Sequence, residues 1–145
     1  MKTIIFKVSY LGICGCGGTT LERTIEMKET QTLQQLHDAI IKELQWQDDH
    51  LYSFFLSNKA WDNNKKYEYT RPDQDEPLEA NSAKIAISKL CLKQKQKFVY
   101  VFDFGDDHQF RIQVKKFGKT IKGKKYPLTL EAKGKTFEQY NMCEE

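Results

Sequence analysis

The feature that most constrains the fold is the segment 98–117, FVYVFDFGDDHQFRIQVKKF, which has the pattern of two β-strands joined by an acidic turn. From Phe98 to Phe102 apolar residues occupy both alternating positions, which is typical of a central strand buried on both faces. From Phe110 to Lys115 apolar and polar residues alternate, which is the pattern of a strand with one buried and one solvated face. We therefore expect an antiparallel hairpin whose first strand is covered on both sides.

The turn of this hairpin contains the first candidate functional residues, which are Asp103, Gly105, Asp106, Asp107 and His108. Gly105 can take a positive φ at no steric cost, because it has no Cβ. Carboxylate oxygens suit Mg²⁺ or Mn²⁺, and a histidine would favour a transition metal, with His50 as a candidate distant partner. Alternatively, the aspartates only close the turn through hydrogen bonds, so the sequence leaves a metal site open.

Two strands are predicted at the amino terminus. Residues 3–10 and 21–27 each alternate apolar and polar side chains, and the glycine-rich segment 12–18 can join them as a wide hairpin loop. Arg23 falls on the apolar face of the second strand. Either its stem extends to the sheet edge, or its guanidinium pairs with a carboxylate of the acidic turn.

A single amphipathic helix is predicted next. Thr32 and Gln35 have the spacing of a capping box, and apolar residues then recur at helical spacing up to about residue 46. His37 lies beside this apolar stripe and is expected at the helix surface or its boundary. The short apolar run 51–56 follows as a strand, so that the order along the chain is strand, strand, helix, strand, as in a β-grasp arrangement.

These elements predict one compact α+β domain of 145 residues. It would comprise a β-grasp-like strand-strand-helix-strand lobe at residues 1–56, a polar excursion at 57–84, and an antiparallel strand lobe at 85–145 that contains the carboxyl-terminal hairpin. A last strand is expected near residues 126–132, with Pro127 at its start or on a sheet edge.

Basic residues are concentrated around the hairpin. Residues 89–135 contain 13 basic and 4 acidic side chains, although the whole chain has a net charge of only +3. Such a surplus can attract a polyanion. The candidate polyanion-binding residues after the turn are Lys115, Lys116, Lys119, Lys122, Lys124 and Lys125. The alternative is a solvated, lysine-rich loop.

Other classes of site find little support in the composition. Cys14 and Cys16 are separated by one residue, which is tighter than the usual zinc-ligand spacing, and no cofactor is expected. No apolar run approaches the ~18 residues that a membrane span requires. We expect a cytoplasmic protein that does not contact a membrane.

Three segments, 32–56, 82–114 and 126–134, resemble the root-inducing-plasmid ORF-three-like family. The resemblance rests on the helix followed by W-x-D-x-H-L-x-x-F and on the later D-F-G-D-D motif. It implies a compact α+β domain from a mobile element. Where the family motif continues W-x-H, this chain has His108 at the tryptophan position and Phe110 at the histidine position, so a role that depends on that histidine does not transfer. Members carry descriptions as insertion-element passengers or transposon resolvases, but this chain has no nucleophilic serine set among arginines.

The sequence therefore leaves two alternative functions. The first is a non-catalytic binding or accessory module of a plasmid, phage or mobile element that docks a protein or nucleic acid through the basic surroundings of the hairpin. The alternative is a small metal-dependent hydrolase or nuclease that uses the acidic turn, Asp103, Asp106, Asp107 and His108.

Overall fold

The computed structural model describes residues 1–17, 20–72, 81–137 and 139, which form eight strands and one α-helix together with two short 3₁₀ turns. The helix α1 spans Leu33–Leu44. The strands are β1 (Lys2–Ile13), β2 (Glu22–Lys28), β3 (Tyr52–Phe55), β4 (Glu68–Thr70), β5 (Asn81–Ser82), β6 (Lys97–Phe102), β7 (His108–Lys119) and β8 (Leu128–Lys133).

All eight strands belong to one sheet with the order β5-β4-β3-β6-β7-β1-β2-β8. Each neighbouring pair is antiparallel except β4 and β5. The predicted α+β class and the single compact domain are thereby confirmed. The hairpin β6-β7 lies between β1 and β3, in the middle of the sheet. It therefore joins the strands that precede α1, β1 and β2, to the strand that follows α1, β3, in one continuous sheet.

The start of α1 follows from its capping box. The backbone N–H of Gln35 donates to the Thr32 hydroxyl at 3.1 Å, and the backbone N–H of Thr32 donates to the Gln35 side-chain oxygen at 3.0 Å. Two N–H groups that have no partner within the helix are thus hydrogen-bonded. The helix ends at Leu44, and the following cap residue Gln45 takes a left-handed φ of 59°.

The sheet face that contacts α1 forms the main core. Alternate residues of β1, β6 and β7 point toward the helix, and Phe6, Tyr100 and Ile112 among them have no exposed surface. The other face, which we call the open face, is covered only in part. Val99 and Val101 on β6 are buried there beneath a small cluster that includes Phe55 and Phe104. The double burial predicted for the first hairpin strand therefore comes from the helix on one side and this outer cluster on the other.

The chain between β3 and β6 contains short regular elements. The polar excursion at 57–84 contains the short strands β4 and β5, which extend the sheet beyond β3, while its residues 73–80 lie outside the described part. A 3₁₀ turn, Ile87–Leu90, lies between β5 and β6. Pro127 directly precedes β8, which is the last strand at its edge of the sheet.

Candidate functional site

The acidic turn is closed by Asp103. One carboxylate oxygen, Oδ1, accepts hydrogen bonds from the backbone N–H groups of Gly105 at 3.2 Å and Asp106 at 3.3 Å. Asp103 is buried and itself takes the left-handed conformation, with φ of 65°. Although Gly105 can take a positive φ at no steric cost, the residues of the turn that do so are Asp103 and Asp107. Aspartate tolerates this conformation since its short polar side chain can hydrogen-bond nearby backbone groups.

The other two aspartates of the turn have different environments. Asp106 is exposed, whereas Asp107 is half-buried and takes a φ of 57°. The Asp107 carboxylate accepts hydrogen bonds from the indole N–H of Trp61 at 3.0 Å and from the Gln109 amide at 3.1 Å. Asp107 thus ties the turn to the loop that contains Trp61, a contact between residues 46 positions apart in the chain.

His108 points away from the turn surface and into the core. It has no exposed surface, and its Nδ1 lies 2.9 Å from the Tyr10 hydroxyl. Its ring packs against Trp46 with 4.6 Å between centroids, and its Nε2 is 3.9 Å from a carboxylate oxygen of Asp106. Burial lowers the pKa of His108, which the nearby aspartates only partly offset, so the neutral ring is favoured in the folded protein.

The two candidate partner residues lie in different places. His50 does reach the turn, since its Nε2 lies 3.4 Å from Asp103 and 3.2 Å from Asp49. Arg23 does not, and the hypothesis that it pairs with an aspartate of the turn is wrong. Its Nε donates to Glu43 of α1 at 3.1 Å, and Nη1 donates to the backbone carbonyls of Glu22 and Lys133. The reason is the sheet order, because β1 and β7 separate β2 from β6, a distance of several strand spacings of about 4.8 Å.

The acidic turn therefore does not gather its side chains around a common point. Within the part of the chain that the structure describes, the one group of three residues placed to share a metal ion is His37, Asp38 and Asp48, whose ligand atoms lie within 4.8 Å of one another. Both ring nitrogens of His37 already have partners, the Tyr100 hydroxyl at Nδ1 and Asp48 at Nε2, the latter at 2.9 Å.

The sequence predicts His37 at the helix surface or its boundary, but the structure buries the residue, with only 1 % exposed. Its ring stacks on Tyr52 with 3.7 Å between centroids. Burial lowers its pKa, and Asp48 opposes that shift. The sequence contained a signal, since His37 is four residues after Leu33 and four before Ile41, in the middle of the apolar stripe.

The lysines that follow the turn occupy two different settings. Lys115, Lys116 and Lys119 are exposed on β7, whereas Lys122, Lys124 and Lys125 are exposed in the loop between β7 and β8. Lys116 is paired with Ile5, and a register shift at Lys115 bends β7 at this point. Both Lys115 and Lys116 line a shallow groove of about 660 Å³ on the open face.

Strand register adds further cations to the same face. Gln113 of β7 lies directly between Lys97 on β6 and Lys7 on β1, and Arg111 is two residues away on the same side of β7. We call the set Lys7, Lys97, Arg111, Lys115 and Lys116 the cationic face. In the described residues these cations make one ion pair, between Lys7 and Glu22 at 3.9 Å. The sequence could not reveal this set, because Lys7 and Lys97 join it only through pairing between distant strands.

An aromatic residue borders the cationic face. Trp61 is 41 % exposed and packs on Phe55 and Phe104 of the outer cluster. Asn58, three residues before Trp61, accepts a hydrogen bond from Arg111 Nε at 3.2 Å. In the sequence Trp61 belongs to the polar excursion, and a large aromatic residue among polar neighbours is the signal that marks it.

Comparisons with known proteins agree with the fold. A family model described as plasmid pRiA4b ORF-3-like protein matches residues 17–139. The crystal structure of MM3350, a protein of unknown function from Methanosarcina mazei Go1, is similar with a TM-score of 0.74 and 25% sequence identity, over 97% of this chain and 74% of that chain. No curated protein shows significant sequence similarity. Among the described residues, none of the helices has the length and apolar character needed to cross a membrane.

Proposed function

The chain belongs to the plasmid pRiA4b ORF-3-like family, and we propose that it is a non-catalytic module that binds nucleic acid through the cationic face. The single observation that carries this proposal is the convergence of Lys97, Lys7 and Arg111 around Gln113 on three adjacent strands. Adjacent strands are about 4.8 Å apart, so Lys97 and Lys7 lie roughly 10 Å apart across the sheet. This spacing lets separate side chains contact successive phosphates of one backbone.

Charge complementarity favours nucleic acid over a protein partner. The segment 89–135 has 13 basic against 4 acidic residues, and three of those four acidic residues are in the turn at the end of β6 rather than on the cationic face. A phosphate backbone offers a regular row of anions, and lysine binds each as a point charge. Polar or charged side chains line most of the groove, and Glu22 and Glu131 are among them. Such a lining suits a polar ligand better than the apolar core of a protein interface would.

The contacts of the acidic turn support the non-catalytic part of the proposal. Asp103 closes the turn, Asp107 holds Trp61, and His108 bonds to Tyr10 inside the core. A hydrolytic metal centre needs side-chain oxygens and nitrogens that converge on one ion. Among the described residues, no three side chains of the turn lie close enough together to share one ion.

The test is binding of labelled DNA, single-stranded and duplex, followed by fluorescence polarisation at about 50 mM and about 200 mM salt. We expect affinity to fall steeply with salt, because each neutralised phosphate releases counterions. Replacing two cations, Lys97→Gln with Lys116→Gln, should reduce the slope of log affinity against log salt by about 2.

The matched control removes the same charge from the helix side of the molecule, with Lys42→Gln and Lys84→Gln, both exposed. Its slope should stay close to that of the unmodified protein. Absence of binding at low salt, or an equal loss in the control, would overturn the proposal.

A further inference from the structure

The position of Trp61 is fixed from three directions. Its ring lies 4.9 Å from that of Phe104 in an edge-to-face arrangement and 5.6 Å from that of Phe55, and its N–H donates to Asp107 at 3.0 Å. Even so, 41 % of the residue is exposed. An exposed indole normally changes rotamer freely, but these contacts hold this one in place.

The backbone at Trp61 is also unusual. Its φ is 60°, in the left-handed region that bulky side chains rarely adopt. Asn58, Asp103 and Asp107, which lie in the same loop or in the turn that contacts it, have φ values of 65°, 65° and 57°. The two loops therefore present the indole at a defined place on the open face, through a backbone conformation that local preferences disfavour.

This place is continuous with the cationic face. Arg111 is the cross-strand neighbour of Val99, and Val99 belongs to the same outer cluster as Phe55, on which Trp61 packs. Arg111 is also bonded to Asn58 in the Trp61 loop. Lys97 follows on β6, two residues from Val99 and on the same side of the strand. An aromatic surface and a row of cations thus stand side by side on one face of the sheet.

We propose that an unpaired nucleobase stacks on Trp61 while its phosphates lie on Arg111 and Lys97, so that the module binds single-stranded nucleic acid in preference to duplex. This inference rests on the proposed function and specifies its ligand. In a duplex the two faces of each base are covered by neighbouring bases, whereas in a single strand they are free to stack on an aromatic side chain. Every base has such a face, so this contact gives little sequence preference.

The negative charge of the acidic turn sets the orientation of a bound strand. Asp106 and Asp107 belong to the turn that follows β6 and contacts Trp61, whereas Lys97 is at the opposite end of β6, and the charge of the two aspartates repels phosphate. The backbone of a bound strand is therefore directed toward Arg111 and Lys97, and only its uncharged base approaches the indole.

Two probes test this inference on the full chain: a labelled oligodeoxythymidine of about 15 nucleotides and a mixed-sequence duplex of equal length. We expect tighter binding of the single strand and quenching of tryptophan fluorescence by it. The quenching should come from Trp61, since Trp46 is buried. Trp61→Ala should weaken single-strand binding about tenfold or more and leave duplex binding unchanged.

The matched control is Tyr67→Ala, which removes another exposed aromatic ring from a 3₁₀ turn outside the cationic face. Thermal melts of both variants establish that they are folded. Equal affinity for the two probes, with no effect of Trp61→Ala, would overturn the stacking inference while the proposed function stands. Absence of binding to either probe at low salt would overturn both.

Discussion

The hydroxyl of Tyr10 lies 2.9 Å from Nδ1 of His108 inside the core, and this contact joins the middle of the sheet across β1 and β7. Burial, with a smaller contribution from Asp106, raises the pKa of Tyr10 to about 12, so the hydroxyl keeps its proton at any physiological pH. The hydroxyl can therefore donate to the neutral imidazole.

Removing the tyrosine hydroxyl should be more harmful than removing both polar groups. Tyr10→Phe leaves a buried ring nitrogen without its partner and should lower the free energy of unfolding by about 1–3 kcal/mol. Adding His108→Phe to that variant replaces the pair by apolar rings of similar shape, and it should recover part of the loss. Urea unfolding of the single and double variants measures this coupling. A double variant less stable than Tyr10→Phe alone would contradict the role assigned to the pair.

Acidification should destabilise the protein through its two buried histidines. The pKa of His37 and that of His108 are both lowered by burial, so below the ordinary value of about 6.5 the unfolded chain binds more protons than the folded one. Their contribution to stability is therefore complete above that pH and is lost as the pH falls toward the folded pKa values. Urea melts at about pH 7.5 and about pH 5.5 should show the loss, and His37→Gln should make it smaller. An unchanged pH dependence in that variant would show that His37 is not a source of it.

Substitutions in the acidic turn should show that Asp103 matters more than Gly105. A Cβ at Gly105 would meet only the Asp103 Oδ1 atom, at an ordinary 3.5 Å, so Gly105→Ala should change stability by less than about 0.5 kcal/mol. Asp103→Ala removes the acceptor of two backbone N–H groups and puts alanine at a positive φ, so it should cost about 1–3 kcal/mol. Asp103→Asn keeps the acceptor and should be milder. Thermal melts that rank Gly105→Ala as the most damaging would contradict this account of the turn.

The apolar stripe of α1 gives the test of the core. Ile40 is 2 % exposed, and Ile40→Ala should cost about 2–5 kcal/mol through lost burial and the cavity left behind. The exposed Lys42, two residues further along α1, is the control, and Lys42→Ala should change stability by no more than about 0.5 kcal/mol. Equal losses in denaturant melts would mean that packing of the stripe contributes little.

The local elements were predictable from sequence because their signals are local. The Thr32 capping box, the period-two strands and the doubly apolar strand that became β6 each depend on residues close together in the chain. The insertion of β6 and β7 between β1 and β3 depends on pairing between residues about 100 positions apart, for which one sequence carries no direct signal. The pairing of Arg23 with Glu43 was missed for the same reason.

In the candidate site, too, local features could be predicted from the sequence and contacts between distant strands could not. Clustering of charge after residue 89 was visible in the sequence, but Lys7 joins the cationic face only through the β1–β7 register. Residue preference marks Gly105 as the residue of the turn that takes a positive φ most readily, whereas in the folded chain Asp103 and Asp107 take it, held by their hydrogen bonds. The contacts of Trp61 with Asp107 and Phe104 join residues more than 40 positions apart, so the sequence carried no sign of them.

The lysines of the strands should contribute more to nucleic-acid binding than those of the following loop. Lys97 and Lys116 are held by strand pairing at fixed positions, whereas Lys122, Lys124 and Lys125 are exposed in a loop, which would have to be ordered on binding at an entropic cost. A triple variant, Lys122→Gln, Lys124→Gln and Lys125→Gln, should therefore reduce the slope of log affinity against log salt by less than about 1. The double variant Lys97→Gln, Lys116→Gln removes less charge, yet we expect it to reduce that slope by about 2. Polarisation titrations of the same single-stranded probe at matched salt concentrations compare the two variants directly. If the loop variant lost more affinity than the strand variant, the binding surface would lie on the loop, and the cationic face would not be the site.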